Sequence, residues 1–122
     1  MTQSLFDRIG GENTVVQATH YLYVNVLRDD RLKPFFENID MQRQTLKMQA
    51  FLTKVLCGSA PYQDTSLRDA HKHLVEQGLD DEHVEAMIDC VCATLKEMQI
   101  NNNIIGEVAQ KINAYRDEVL NR

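Results

Sequence analysis

Mainly apolar residues recur at intervals of three and four along most of the chain, and this spacing marks one face of an α-helix. The four clearest stripes are Val15, Thr19, Leu22 and Val26; Gln44, Met48, Phe51, Leu52 and Val55; Val84, Ile88, Val91, Leu95 and Met98; and Ile105, Val108, Ile112, Tyr115 and Val119. No segment shows the apolar–polar alternation of a half-buried strand. The pattern therefore predicts an all-α fold.

Capping residues and glycines predict where the helices begin and end. The candidate N-caps are Ser4, Asp40, Ser66 and Asp80 or Asp81, and the candidate helix ends are Gly10, Gly11 and Gly78. We expect a short first helix, a helix that ends near Leu27, a turn over 32–36 and a helix over 40–56. A short helix that carries His71 and two long helices complete the prediction.

Two features of this pattern go beyond helix count. Val16, Tyr23 and Leu27 widen the stripe of the second helix, which predicts a helix buried on a broad face. The connection from Leu56 to Ser66 is long for a helix bundle, and the helix after it is short. This combination indicates a segment held in place by something besides its own packing.

Composition and charge restrict the partners of this protein. Its 122 residues are expected to form a single domain over 1–122. Eighteen acidic residues against thirteen Lys and Arg give a net charge of −5. This balance argues against a nucleic-acid partner, because phosphate contacts need basic patches. No apolar run approaches the roughly 18 residues of a membrane span, so no membrane association is expected.

The cysteines and the N-terminal residues indicate a cytoplasmic protein. Cys57, Cys90 and Cys92 form no CxxC pair and are expected to be small, buried or partly buried thiols. The first residues show neither the basic start nor the apolar region of a signal peptide.

Motifs of common enzymes are absent, and the histidines are the remaining candidates for chemistry. The sequence contains no nucleophile elbow, phosphate-binding loop, dinucleotide fingerprint or zinc-binding HExxH. Its histidines are His20, His71, His73 and His83. His71 and His73 are two apart on a predicted helix, so they face apart and make a poor zinc pair. From spacing alone, each is expected to be a surface or hydrogen-bonded residue.

Five segments, in register over nearly the whole chain, resemble the group 1 truncated haemoglobins. They are LFDRIGG at 5–11, YVNVLRDDRLKPFF at 23–36, DM at 40–41 with QAFL at 49–52, PY at 61–62 with RDAHK at 68–72, and ATLKEM at 93–98. The resemblance implies a two-over-two helical sandwich that encloses haem b. It also explains what would hold the short helix in place, namely a bond between this helix and the iron.

The resemblance implies a role for each residue of the haem pocket. His71 would be the proximal iron ligand, because neutral imidazole is the usual axial donor in globins. Phe36 would wedge against the porphyrin face. The remaining candidate walls are Phe51, Leu52, Val84 and Ile88, for each of which a plain core role is equally open.

The other side of the iron would be lined by Tyr23, Gln44, Lys47 and Met48. Tyr23 would donate a hydrogen bond to a bound gas, and the Gln44 amide would either donate a second one or point to solvent. Met48 stands where many relatives have a second glutamine, and we expect its thioether to fill space. Lys47 would either keep its charge, paired with a haem propionate or in solvent, or lose its proton and bind the iron.

The function implied is reversible binding of oxygen, carbon monoxide or nitric oxide, used for oxygen carriage or for nitric oxide detoxification. An enzymatic role, as a nitric oxide dioxygenase or peroxidase, would need a reductase partner that the sequence does not identify. The haem is expected to be non-covalent, because Tyr115 is the nearest match to a histidine that some relatives bond to a haem vinyl. The alternative is a haem-free, acidic α-helical protein-interaction module, which would lack a Soret band.

Overall fold

The chain folds into helices joined by short turns. A computed structural model describes residues 3–58 and 65–122, and these residues form no β-strand. The helices are α1 (Leu5–Ile9), α2 (Glu12–Val26), α3 (Met41–Cys57), α4 (Thr65–Glu76), α5 (Asp81–Glu97), α6 (Asn102–Asn113) and α7 (Arg116–Val119). A short 3₁₀ helix, Lys33–Phe36, lies between α2 and α3. The all-α prediction is confirmed, while Pro61 and Tyr62 of the resembling segments lie outside the described residues.

Predicted capping residues lie at the starts of three helices. The Ser4 hydroxyl accepts a hydrogen bond of 3.1 Å from the Asp7 amide at α1, and the Asp40 carboxylate caps α3 in the same way. Asp80, rather than Asp81, caps α5. The backbone amide of Asp80 in turn donates to Nδ1 of His83 at 3.0 Å, which completes a capping box.

Glycines end two of the helices as predicted. Gly10 follows α1 with φ of 120°, and Gly78 follows α4 with φ of 107°. Side chains rarely adopt this backbone conformation. At Gly10 an added Cβ would also collide with the Thr14 hydroxyl, so glycine is required there for two reasons.

Two helix pairs form the core. α2 packs with α3, α5 packs with α6, and α2 also packs against α5. The buried Thr19 and Thr94 have hydrogen-bond partners: Thr19 donates to a backbone carbonyl of α2, and Thr94 accepts a bond of 2.8 Å from Asn25. This stacking of two pairs is the predicted two-over-two arrangement.

The buried face of α2 is narrower than predicted. Val15, Leu22 and Tyr23 are buried, but Val16 is 42% exposed and Leu27 is 38% exposed. The two exposed residues lie beside the stripe that meets α3 and α5, and no described helix covers them.

The predicted last helix is two helices. α6 ends at Asn113 and α7 begins at Arg116. The Tyr115 amide donates to the carbonyl of Ile112, three residues back, instead of four. This tightening of the last turn breaks the helix while keeping Tyr115 buried.

α4 begins at Thr65, so Ser66 lies inside the helix and is not its N-cap, although the Ser66 side chain lies outside the described part. Cys57 is exposed, contrary to the expectation of a buried or partly buried thiol, because it lies in the last turn of α3. Within 3–58 and 65–122, no helix has the length and apolar character needed to cross a membrane.

Candidate haem site

Tyr23, Gln44 and Phe36 come together where α2, the 3₁₀ helix and α3 meet. The side-chain amide of Gln44 donates a hydrogen bond of 3.0 Å to the hydroxyl oxygen of Tyr23. The rings of Tyr23 and Phe36 meet edge to face, with centroids 5.6 Å apart. Sequence reasoning therefore grouped residues that the fold brings into contact, although 21 positions separate Gln44 from Tyr23.

The Tyr23 hydroxyl keeps its proton and has one donor position to spare. Burial raises the pKa of Tyr23 to about 12, and the hydrogen bond from Gln44 offsets part of this rise. A hydroxyl has one hydrogen to donate as well as lone pairs that accept. Gln44 uses a lone pair, and in the described part of the chain the hydroxyl proton has no acceptor. Buried polar groups are normally hydrogen-bonded, so this proton is available to a further acceptor.

His71 on α4 has the form that binds a metal. Its Nδ1 lies 2.8 Å from the carbonyl oxygen of Leu67, so Nδ1 carries the hydrogen and Nε2 carries the lone pair. Burial lowers the pKa of His71, the bond to Leu67 counteracts this, and the nearby His73 adds to the lowering. Nε2 of His71 is unpartnered within the described residues, and His73 is exposed.

Lys47 and Met48 follow Gln44 along α3 and differ in burial. Lys47 is exposed, whereas Met48 is partly buried against the core. Met48 therefore packs against the core, and the Lys47 side chain faces solvent in this structure.

The four candidate walls lie on α3 and α5. The rings of Phe51 and Tyr115 meet edge to face, with centroids 5.3 Å apart. Leu52 lines an apolar cavity of about 20 Å³ between α1, α2, α3, α5 and α6. Val84 and Ile88 are buried on one face of α5. This cavity is separate from His71, Tyr23 and Gln44, none of which lines it.

These residues fit a haem by their chemistry. A neutral imidazole with a free Nε2 is the proximal donor of globins. A buried, protonated hydroxyl with a spare hydrogen suits a gas ligand that carries partial negative charge. Partly buried Phe36 supplies apolar surface next to Tyr23, and Phe51 supplies apolar surface on α3. In the described part of the chain, no cluster of His, Cys, Asp and Glu could hold a metal ion without a porphyrin.

Sequence reasoning missed the contacts that hold α4 and the start of α5. Asn121 and Arg68 form hydrogen bonds across more than 50 positions, and no local pattern marks such a pair. The ring of Phe35 also packs at this helix start, with its centroid 4.9 Å from that of His83. The sequence predicted Asp80 or Asp81 as the cap of α5, but not that His83 would complete the capping box.

Comparison with known proteins gives consistent matches over nearly the whole chain. The family described as Bacterial-like globin matches residues 4–121. The group 1 truncated haemoglobin of Synechocystis is 40% identical in an alignment of 122 positions that covers 98% of this chain and 98% of the relative. That of Tetrahymena pyriformis is 37% identical over 98% of this chain and 97% of the relative.

A solved structure has the same fold. The 2/2 haemoglobin of Synechococcus, in a cyanomet state with covalently attached haem, superposes with a TM-score of 0.89 at 35% identity. The match covers 98% of this chain and all of that one. Together with the stacked helix pairs, these matches identify the chain as a globin that belongs to the group 1 truncated haemoglobins.

Proposed function

We propose that this globin binds oxygen reversibly at a haem b held by His71, with Tyr23 and Gln44 stabilising the bound gas. When bound, haem supplies an iron with one position for an imidazole and one for a diatomic gas. The single observation that carries the proposal is the buried Tyr23 hydroxyl, which accepts from Gln44 and has a proton with no protein acceptor in the described part.

Tyr23 and Gln44 act as a donor pair in this proposal. The Gln44 amide donates to the Tyr23 hydroxyl oxygen, so the hydroxyl hydrogen is directed away from Gln44. Because the pKa of Tyr23 is raised to about 12, the hydroxyl stays protonated throughout the physiological range. Oxygen accepts such a hydrogen bond better than carbon monoxide does, since its atoms carry more negative charge. The pair therefore favours oxygen, while carbon monoxide and nitric oxide remain ligands.

His71 is the proximal ligand in this proposal. Its Nδ1–H donates to the Leu67 carbonyl, which fixes the tautomer and the ring orientation and raises the basicity of Nε2. Phe36, Phe51, Leu52, Val84 and Ile88 supply the apolar contacts to the porphyrin. Lys47 has two roles open to it, pairing with a propionate or binding the iron, and Met48 fills space.

We also propose that the haem is held without a covalent bond and that the protein works in the cytoplasm. Tyr115, whose ring packs on Phe51, stands nearest to the histidine that would form a vinyl bond, and no histidine follows His83 in this sequence. The free cysteines of the described residues are consistent with a reducing compartment.

The proposal is tested by absorption spectra of the purified protein and of two variants. We expect a Soret band in the wild type and a ferrous spectrum that changes on addition of carbon monoxide. His71→Gly should lose tightly held haem and recover it with added imidazole, whereas His73→Gly, two residues away and exposed, should behave as the wild type. Equal haem uptake by both variants without imidazole would contradict the proposal. A wild-type protein that shows no Soret band with excess haem would favour the haem-free interaction module.

A nitric oxide dioxygenase activity is separated from plain oxygen binding by turnover. Mixing the oxygenated protein with nitric oxide in a stopped-flow instrument gives the rate at which bound oxygen oxidises nitric oxide in a single turnover. Repeated turnover with an added reductant and a reductase would identify an enzyme. A single turnover with no recovery would leave oxygen binding as the function.

A further inference from the structure

The helix that carries His71 is held mainly by the segment at the other end of the chain. α4 packs chiefly against α7. The side-chain amide of Asn121 donates a hydrogen bond of 3.0 Å to the backbone carbonyl of Arg68. The Arg68 guanidinium donates one of 3.2 Å to the backbone carbonyl of Arg122. Arg68 is thus bonded to both Asn121 and Arg122, beyond the end of α7.

The backbone of Arg68 adjoins the group that orients His71. The Leu67 carbonyl accepts the bond from Nδ1 of His71, and the next carbonyl, that of Arg68, accepts the bond from Asn121. These two carbonyls belong to consecutive peptide planes that share the Arg68 Cα atom. A tilt of one plane is therefore limited by the bond to the other.

The segment after α7 is itself held in a defined conformation. Asn121 has φ of 57°, which asparagine adopts more readily than most residues at the end of a helix. The Arg122 amide donates to the carbonyl of Asp117 at 2.8 Å, as in a Schellman motif. Ion pairs from Arg116 and Arg122 to Asp81, at 3.0 and 2.9 Å, fasten the segment to the start of α5.

We propose that Asn121 and Arg68 are positioning residues for the proximal histidine: they fix the start of α4 so that the Leu67 carbonyl aims the His71 imidazole at the iron. This inference depends on the proposed function, because it takes His71 as the iron ligand. Neither bond involves Tyr23 or Gln44, and in this inference both residues act through the imidazole.

Asn121→Gly tests this role with the backbone conformation preserved. Glycine adopts a positive φ without strain, so the helix end remains while the side-chain donor is lost. Gln99→Gly is the matched control, because Gln99 has the same kind of conformation after α5, with φ of 62°, and is exposed. Arg68→Lys keeps the charge but removes the planar guanidinium, and serves as a second variant.

The readouts are the iron–histidine stretching band in the resonance Raman spectrum and the rate of haem transfer to an excess of a haem-free acceptor. The band is recorded immediately after photolysis of the carbon monoxide form, so that no side chain occupies the other side of the iron. We expect Asn121→Gly to shift and broaden this band and to speed haem loss on the order of 10-fold, the usual scale for groups that orient a metal ligand. Arg68→Lys should act in the same direction, and Gln99→Gly should match the wild type.

The outcomes distinguish this inference from the proposed function. If His71→Gly retains the iron–histidine band, the proposed function fails and the positioning role fails with it. If His71→Gly loses the band but Asn121→Gly leaves both band and haem loss unchanged, only the positioning role is overturned. Faster haem loss with an unaltered band, or equal effects of Asn121→Gly and Gln99→Gly, would show a general loss of stability and would also overturn it.

Discussion

The amide of Gln44 and the hydroxyl of Tyr23 lie 3.0 Å apart and join α3 to α2 at the candidate haem site. Gln44 donates and Tyr23 accepts, so the hydroxyl hydrogen of Tyr23 remains available. The two side chains therefore work as one donor, and removal of either one changes what the other can do.

Tyr23→Phe should release oxygen about 10-fold faster, because a net hydrogen bond contributes about 1–1.5 kcal/mol and 1.4 kcal/mol corresponds to a factor of ten. The rate is measured by displacing oxygen with carbon monoxide in a stopped-flow instrument. Carbon monoxide release should change less, since that ligand is a weaker acceptor. Tyr21→Phe, on the exposed face of the same helix, is the control. An oxygen release rate unchanged by Tyr23→Phe would contradict the assigned role.

Stability should fall at alkaline pH because of Tyr23. Its pKa is about 12 in the folded protein against an ordinary value of 10.0, so between these values the unfolded chain loses the proton that the folded chain keeps. The contribution is fully present below about pH 10 and is lost as pH rises toward 12, by about 3 kcal/mol at 1.36 kcal/mol for each pKa unit. Urea unfolding at several pH values should show this loss in the wild type and a smaller loss in Tyr23→Phe. Parallel pH profiles of the two proteins would exclude Tyr23 as the cause.

Lys47→Ala should alter one of two measurable properties, depending on which role the lysine has. A lysine that binds the iron must be neutral, so the low-spin ferric spectrum would grow with pH in the wild type and vanish in the variant. If Lys47 pairs with a propionate, Lys47→Ala should leave the spectrum unchanged and lose haem only a few-fold faster, since exposed ion pairs contribute about 0–1 kcal/mol. Arg43→Ala, exposed on the same helix, is the control. A variant unchanged in both properties would assign Lys47 to the solvent.

Leu22→Ala should reduce the free energy of unfolding by about 3 kcal/mol or more, because a buried leucine leaves a void when it is truncated. Leu22 is 1% exposed and lines the cavity between the two helix pairs, so the loss would enlarge an existing space. Leu46→Ala, at a position that is 66% exposed, should change stability by less than about 0.5 kcal/mol. Denaturant unfolding of both variants measures the difference, and similar values for the two would mean that Leu22 is not a core residue.

Local chemistry explains why the helix boundaries were largely predictable. Asp40 and Asp80 cap helices through their own side chains, and Gly10 and Gly78 take positive φ values. Each of these signals is contained within a few residues. The break at Tyr115 was not predictable from the apolar spacing, because the stripe continues across it while the backbone tightens.

The sequence did not predict the contacts between distant segments that build the candidate site. Tyr23, Gln44 and His71 were identified from resemblance, and their hydrogen bonds were found only in the fold. The exposure of Val16 depends on which side of α2 meets its neighbours, which periodicity alone does not fix. The bond between Asn121 and Arg68 joins residues 53 positions apart and has no sequence signature.

The cavity lined by Leu22 and Leu52 has a mechanical consequence. A space of about 20 Å³ walled almost entirely by hydrocarbon has no polar partners to hold a water molecule. Unfolding removes such a space, so the system occupies less volume after the chain opens. Hydrostatic pressure should therefore shift the equilibrium toward the unfolded chain. An additional methyl group on the side chain of Ala18, which lines this space, should raise the pressure needed to unfold the protein.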